Sequence, residues 1–178
     1  MVKVILSFDD GSPEDEKLVN ILNRYDFGCT LFVPKNNIEG RLTMDARQLL
    51  DLSKFAEIGS HTLNHVYLNK LTLAEALDEV LAGHSYIEDI TGCQSDKFCY
   101  PGGKFNRRID NKVKSYIKYR RTTENFRSEI ANRDLIPTFI QFYPHNRFTY
   151  TKNIFSYVNF YKHSILLKYK LVNKFDSI

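Results

Sequence analysis

The sequence predicts an α/β fold built on a parallel sheet. Two observations carry the prediction. First, short apolar, β-branched runs alternate along the chain with longer amphipathic ones, the pattern of successive βα units. Second, carboxylates close the first of these runs and imidazoles close a later one. Right-handed crossovers put every strand's C-terminal end on one rim, so residues distant in sequence can meet there. At 178 residues and 43% apolar composition, the chain supports one domain over residues 1–178. It is short for a complete eight-stranded barrel, which runs to roughly 250 residues, so fewer strands or an open barrel are expected.

The elements follow in order. Residues 2–8 (VKVILSF) form a buried strand, stopped by the turn residues Asp9-Asp10-Gly11-Ser12-Pro13. A helix over 12–25 opens with a Ser12 cap, Pro13 at its first position and acids in its first turn. Leu18, Ile21, Leu22 and Tyr25 make its inner stripe, and Gly28 follows it. Residues 29–33 (CTLFV) are the second strand, ended by Pro34, and 35–42 are a polar loop on the rim side. Thr43 opens a helix over 43–55 with Leu49, Leu50 and Leu52 turned partly inward. Residues 58–61 are the third strand. The helix over 72–90 gathers Leu73, Leu77, Val80, Leu81, His84 and Ile87 on one face, where His84 reads as a hydrogen-bonded structural imidazole. Strand 97–100, a basic helix over 106–116 and strands over 119–123 and 137–143 complete the alternation. A last helix over 152–172 carries the stripe Ile154, Val158, Tyr161, Ile165, Tyr169 and Val172, which fits an outer cover better than a membrane or subunit surface.

Asp9 and Asp10 leave a strand on opposite faces, so one can bind a metal while its neighbour points at water or substrate. A solvated turn that caps the next helix is the alternative reading. His61 and His65 stand four apart, on one side of a predicted helical turn, a spacing that lets two imidazoles share a metal. The net charge of +4 and pI near 8.9 are mild and predict no nucleic-acid partner. Cys29, Cys93 and Cys99 are odd in number and lack metal-type spacing, so free thiols in a reducing compartment are expected. No apolar run reaches membrane-spanning length, and Met1 runs directly into the first strand, from which a cytoplasmic location is expected. The oligomeric state is not legible.

Ser7-Phe8-Asp9-Asp10-Gly11, followed about fifty residues later by Ser60-His61-Thr62-Leu63-Asn64-His65, resembles the first two motifs of the polysaccharide deacetylases, carbohydrate esterase family 4. Phe98-Cys99-Tyr100-Pro101-Gly102-Gly103 is similar to that family's Arg-x-Pro-x-Gly segment, and the resemblance covers about residues 2–124. It implies a distorted, partly open (β/α) barrel of about six or seven parallel strands. It also implies metal-dependent removal of N-acetyl groups from an N-acetylated saccharide. On this resemblance Asp9 is the general base and Asp10, His61 and His65 are the metal ligands. Zn²⁺ suits that donor set, and Co²⁺, Ni²⁺ and Fe²⁺ also fit. A backbone N–H near Tyr100, with Pro101 and Gly102 allowing close approach, is expected to hold the oxyanion. Tyr67, Tyr100, Phe105, Tyr143 and Phe148 are candidates to stack on sugar rings.

The chain departs from the family pattern in three places. Cys99 stands where the family has the Arg that orients the base, so either another cation, Arg120 or Arg121, substitutes, or Asp9 is a poorer base. There is no Trp. No segment reads as the family's terminal Leu-x-His, whose His is the general acid; His145, after the strand over 137–143, is the nearest stand-in. These departures keep two other readings open: a weak or inactive barrel that binds a glycan or partner, and an amidase on a non-sugar C–N bond.

Overall fold

The computed structural model describes residues 5–123 and 134–138, nearly all within one compact unit made of Met1–Thr122 and Ala131–Ile136. Six strands form one sheet: β1 (Ser7–Phe8), β2 (Thr30–Val33), β3 (Glu57–Ser60), β4 (Lys97–Cys99), β5 (Tyr119–Arg121) and β6 (Leu135–Ile136). Their spatial order is the chain order, and every neighbouring pair is parallel. Each crossover therefore steps in one direction, with no reversal point. A right-twisted sheet wound one way curls, and the result is a half-barrel with its helices outside.

Among the described residues the α-helices are α1 (Asp15–Arg24), α2 (Ala46–Leu52), α3 (Leu73–Thr91) and α4 (Arg107–Val113). α3 begins where its sequence dictates: the Thr72 hydroxyl accepts from the Glu75 N–H, the Glu75 carboxylate accepts from the Thr72 N–H, and Gly92 closes the helix at φ 68°. Two other starts differ from expectation. α2 is capped by Asp45 with Gln48, because the Thr43 hydroxyl instead donates to the Lys35 carbonyl. α1 begins at Asp15, after a turn in which Ser12 Oγ accepts from the Glu14 N–H. Its stripe is also narrower than predicted: Val19 is buried and Leu22 packs beside it, whereas Ile21 and Tyr25 are exposed. Leu50 likewise points outward. β6 pairs through Leu135–Ile136, short of the strand expected over 137–143. Residues 139–143, His145 and the helix expected over 152–172 lie outside the described residues.

Two apolar clusters hold the sheet to its helices. Val19, Leu31, Val33, Met44, Leu49, Leu52 and Ile87 belong to the first. Leu68, Ala76, Val80, Phe98, Tyr100, Ile109, Val113 and Ile117 form the second. At about 25 cal/mol per Å² of apolar surface removed from water, such burial is the main force curling the sheet under its helices. Among the described residues no helix is long and apolar enough to cross a membrane.

Candidate active site

The site grows from the C-terminal ends of β1, β3, β4 and β5. Past β1 the chain turns left-handed at Asp10, φ 72°, and again at Gly11, φ 61°. Past β3, residues 61–67 form an irregular loop and not the helical turn expected from the His spacing. Thr62 (φ 64°) and His65 (φ 55°) both adopt the left-handed region, which costs a residue with a Cβ roughly 1–2 kcal/mol. That geometry folds His65 back toward His61, and both imidazoles are buried.

Both rings address one oxygen. His61 Nε2 lies 3.6 Å from Asp10 Oδ1, and His65 Nε2 lies 3.1 Å from the same atom. His61 Nδ1 sits 2.7 Å from the Cys99 carbonyl oxygen, which can only accept, so Nδ1 carries a proton and Nε2 is the ring nitrogen left to face Asp10 or a metal. The donor set fits a small divalent cation. Ligands about 2.0–2.1 Å from a tetrahedral ion stand about 3.3 Å from one another, which the observed spacings bracket. Hydrogen bonding to His61, then to His65, outweighs burial and holds the Asp10 carboxyl well below the usual carboxylate range. Asp10 is thus anionic, as a ligand must be. On its outer side Asp10 Oδ2 accepts from Arg41 Nη1 at 3.0 Å, and Arg41 also pairs with Glu39. Nothing in the loop sequence over 35–42 marks Arg41 for that place.

Asp9 has a different partner. Arg121 Nη1 donates to Asp9 Oδ1 and lies 3.3 Å from Cys99 Sγ. Cys99 and Arg121 are Cα partners across β4 and β5, so the guanidinium rises beside the position where the family carries its Arg. Arg120, one residue earlier, points to the other face, where its Nε donates to Asp110 Oδ1 at 2.8 Å and its Nη1 to the Lys118 carbonyl. Strand alternation therefore decides between the two arginines. Burial, and then the Asp9 charge, pushes the Cys99 thiol well up, so it stays neutral. Asp9, His61 and Cys99 also lie close enough to form a metal-type trio, but the guanidinium already holds Asp9 and Cys99 and repels a second cation there.

Tyr100 does not do what its position suggested. Its side chain is fully buried, its ring stacks on Phe105 at 4.2 Å, and its hydroxyl donates to Asp110. Its N–H donates to the Arg121 carbonyl at 3.1 Å, so the sheet uses the donor expected for an oxyanion. The exposed residue of the segment is Gly102, at φ 56°, with Pro101 buried beside it. A Cβ at Gly102 would stand 3.0 Å from the Tyr67 ring, so these two share the rim. His84 keeps its structural reading: its Nε2 lies 3.4 Å from Glu88 on the same helix. Tyr143, His145 and Phe148 lie outside the described residues.

Residues 2–120 match the family described as polysaccharide deacetylase. The protein YxkH of Bacillus subtilis (strain 168) is 25% identical over 105 residues, 58% of this chain and 38% of that protein. The chain thus spans little more than a third of that relative's length. The Streptococcus pyogenes deacetylase PplD, solved in complex with acetate, superposes with a TM-score of 0.67 at 22% identity over 76% of this chain and 63% of that one. The peptidoglycan deacetylase PdaC from Bacillus subtilis gives 0.54 at 26% identity over 62% of this chain and 54% of that one. With its family match running through residues 2–120 and its six-stranded parallel half-barrel, the chain belongs to the polysaccharide deacetylase family.

Proposed function

We propose that this protein is a metal-dependent hydrolase that removes N-acetyl groups from an N-acetylated saccharide. The observation that carries the reading is the convergence of His61 Nε2 and His65 Nε2 on Asp10 Oδ1, with Asp9 held alongside by Arg121. Asp10, His61 and His65 would hold a divalent ion, Zn²⁺ by preference, with Co²⁺, Ni²⁺ or Fe²⁺ suited to the same donors. Such an ion supplies Lewis acidity at the amide carbonyl and a water of lowered pKa.

The remaining steps belong to the chain. Asp9 accepts the proton of the attacking water as the new C–O bond forms. Arg121 fixes which carboxylate oxygen faces that water and keeps Asp9 from swinging into the metal's shell. The backbone at Gly102 replaces Tyr100 as the donor for the developing oxyanion, because only there is the segment exposed. His145 is the proposed acid that protonates the leaving amine as the C–N bond breaks, giving free amine and acetate. Tyr67, beside Gly102, is placed to stack on a sugar ring. The three free thiols, Cys29, Cys93 and Cys99, support a reducing compartment.

A second reading is a barrel that binds a glycan or partner without turnover. It is favoured by the imidazoles: of the three described, two sit at the metal cluster and His84 is paired with Glu88. One experiment separates the readings. Metal content is measured on protein purified without chelator, together with acetate release from N-acetylglucosamine oligomers and from non-sugar amides. His61→Ala should lose the metal, and Asp9→Asn should keep it and lose acetate release. Full activity in Asp9→Asn overturns the role of Asp9. Bound metal without turnover on any amide favours the binding module, and turnover on the non-sugar amides alone favours the amidase.

A further inference from the structure

We propose that Glu79, in the middle of α3, is a positioning residue of the metal centre. It acts through the loop that carries both imidazoles and rests on the metal reading above. Three hydrogen bonds run from consecutive residues between His61 and His65 to this one side chain and its carbonyl. The Leu63 N–H donates to the Glu79 carbonyl oxygen at 3.0 Å. The Asn64 N–H donates to Glu79 Oε2 at 3.0 Å, and Asn64 Nδ2 donates to Oε1 at 2.7 Å. One turn further along the helix, Gly83 is pressed so close that a Cβ there would lie 2.5 Å from the Thr62 carbonyl carbon.

The two ligand imidazoles need this help unequally. His61 is oriented directly, because the Cys99 carbonyl holds its Nδ1. His65 has no such hold: its Nδ1 is buried without a hydrogen-bond partner among the described residues. Its ring direction is therefore set by the backbone that carries it, and that backbone is left-handed at both Thr62 and His65. A strained loop stays in place only where its surroundings over-determine it. Glu79 supplies the constraint immediately before His65. The opposite side of Asn64 is held by the neighbouring loop, where Asn36 Nδ2 donates to Asn64 Oδ1 and the Ile38 N–H to the Asn64 carbonyl. Asn64 is thus pinned from two sides, and His65 follows it in the chain.

The donor–acceptor arithmetic gives a specific test. A carboxylate can accept both Asn64 donors, whereas a glutamine accepts one and presents an N–H to the other. Glu79→Gln should weaken Zn²⁺ binding by tenfold or more, the usual range for losing an outer partner of a ligand being about 10–100-fold. Adding Asn64→Asp restores complementarity with no net change of charge. The polarity of the side-chain pair is then reversed: the new amide on α3 donates to the new carboxylate on the loop, and its oxygen still accepts from the loop N–H. The N64D/E79Q double variant should return to within about threefold of the parent, a coupling that independent sites would not show. Glu75→Ala is the control: it breaks the capping box at the start of α3, lowers the melting temperature and leaves Zn²⁺ affinity unchanged. Zn²⁺ affinity is read by competition with a chromophoric chelator, and folding by thermal melts of the metal-free proteins. Parent-like affinity in Glu79→Gln, or a double variant no better than Glu79→Gln alone, overturns the proposal. A parent that binds no Zn²⁺ overturns the metal reading itself.

Discussion

Arg121 shows how one side chain can carry a role whose usual position is occupied by another residue. A general base must be aimed at its proton, and a guanidinium can aim a carboxylate through a directed, charge-assisted hydrogen bond. Since Cys99 and Arg121 are cross-strand partners, a long cation launched from either position reaches Asp9. Arg121→Gln should therefore lower kcat about 10–100-fold while metal content stays at parent level, a loss typical of a misaimed group. The transposed variant C99R/R121S should recover more kcat than R121S alone; equal activity of those two proteins would sink the transposition. Asp15 gives a second expectation. Burial, then the charges of Asp10 and Asp9, raises its pKa to about 6 from 3.8, against a bond from the Ser12 backbone, and its Oδ2 is buried without a partner. A folded-state pKa above the unfolded one means the folded state prefers the proton. Ionisation thus destabilises the fold as pH rises from about 4 through 6. Asp15→Asn should melt above the metal-free parent near pH 7.5, with the gap narrowing as pH falls from about 6 and gone below about pH 4. A gap that does not change with pH would remove this explanation.

Among the elements, α3 is both the best-specified and the one on which the site leans. Its boxes and caps are local, so Thr72, Glu75 and Gly92 are readable from the sequence. Its contact with the His loop is not local, and Gly83 is where that contact is tightest. Alanine there gains about 1 kcal/mol of helix propensity. It also drives a Cβ into the Thr62 backbone, and overpacking of this kind costs about 1–3 kcal/mol. Gly83→Ala should therefore be net destabilising in urea unfolding and should weaken metal binding; a stabilised variant would mean that α3 can shift freely. α2 shows the opposite case. Thr43 and Asp45 are both capping residue types, and the choice fell to Asp45 only because the Lys35 carbonyl engages Thr43. The His loop departs from its expected turn for a related reason: an i,i+4 spacing suits a helical turn, but backbone anchors from α3 and the 35–42 loop impose another path.

For the molecule as a whole, the proposed ligands come from the ends of β1 and β3 and the proposed base is held from β5, so a bound metal would tie distant parts of the sheet together. A ligand that binds only the folded state stabilises it by mass action, about 2.7 kcal/mol at a hundredfold excess over Kd. Zn²⁺ should raise the melting temperature of the parent and chelator should reverse it, while His61→Ala should show neither effect. What the sequence determined alone was local: strands from apolar β-branched runs, helices from period and caps, and the Asp9, Asp10, His61 and His65 constellation at strand ends. The parallel sense of the sheet follows from the βα alternation, whereas its one-way strand order does not, because the same alternation also builds doubly wound sheets. Only the tertiary structure decided that Arg121 rather than Arg120 meets Asp9, that Tyr100 is core rather than rim, and that α3 grips the imidazole loop. Those outcomes depend on cross-strand register and on which backbone groups find partners far away in sequence, and neither is encoded in any single stretch of the chain.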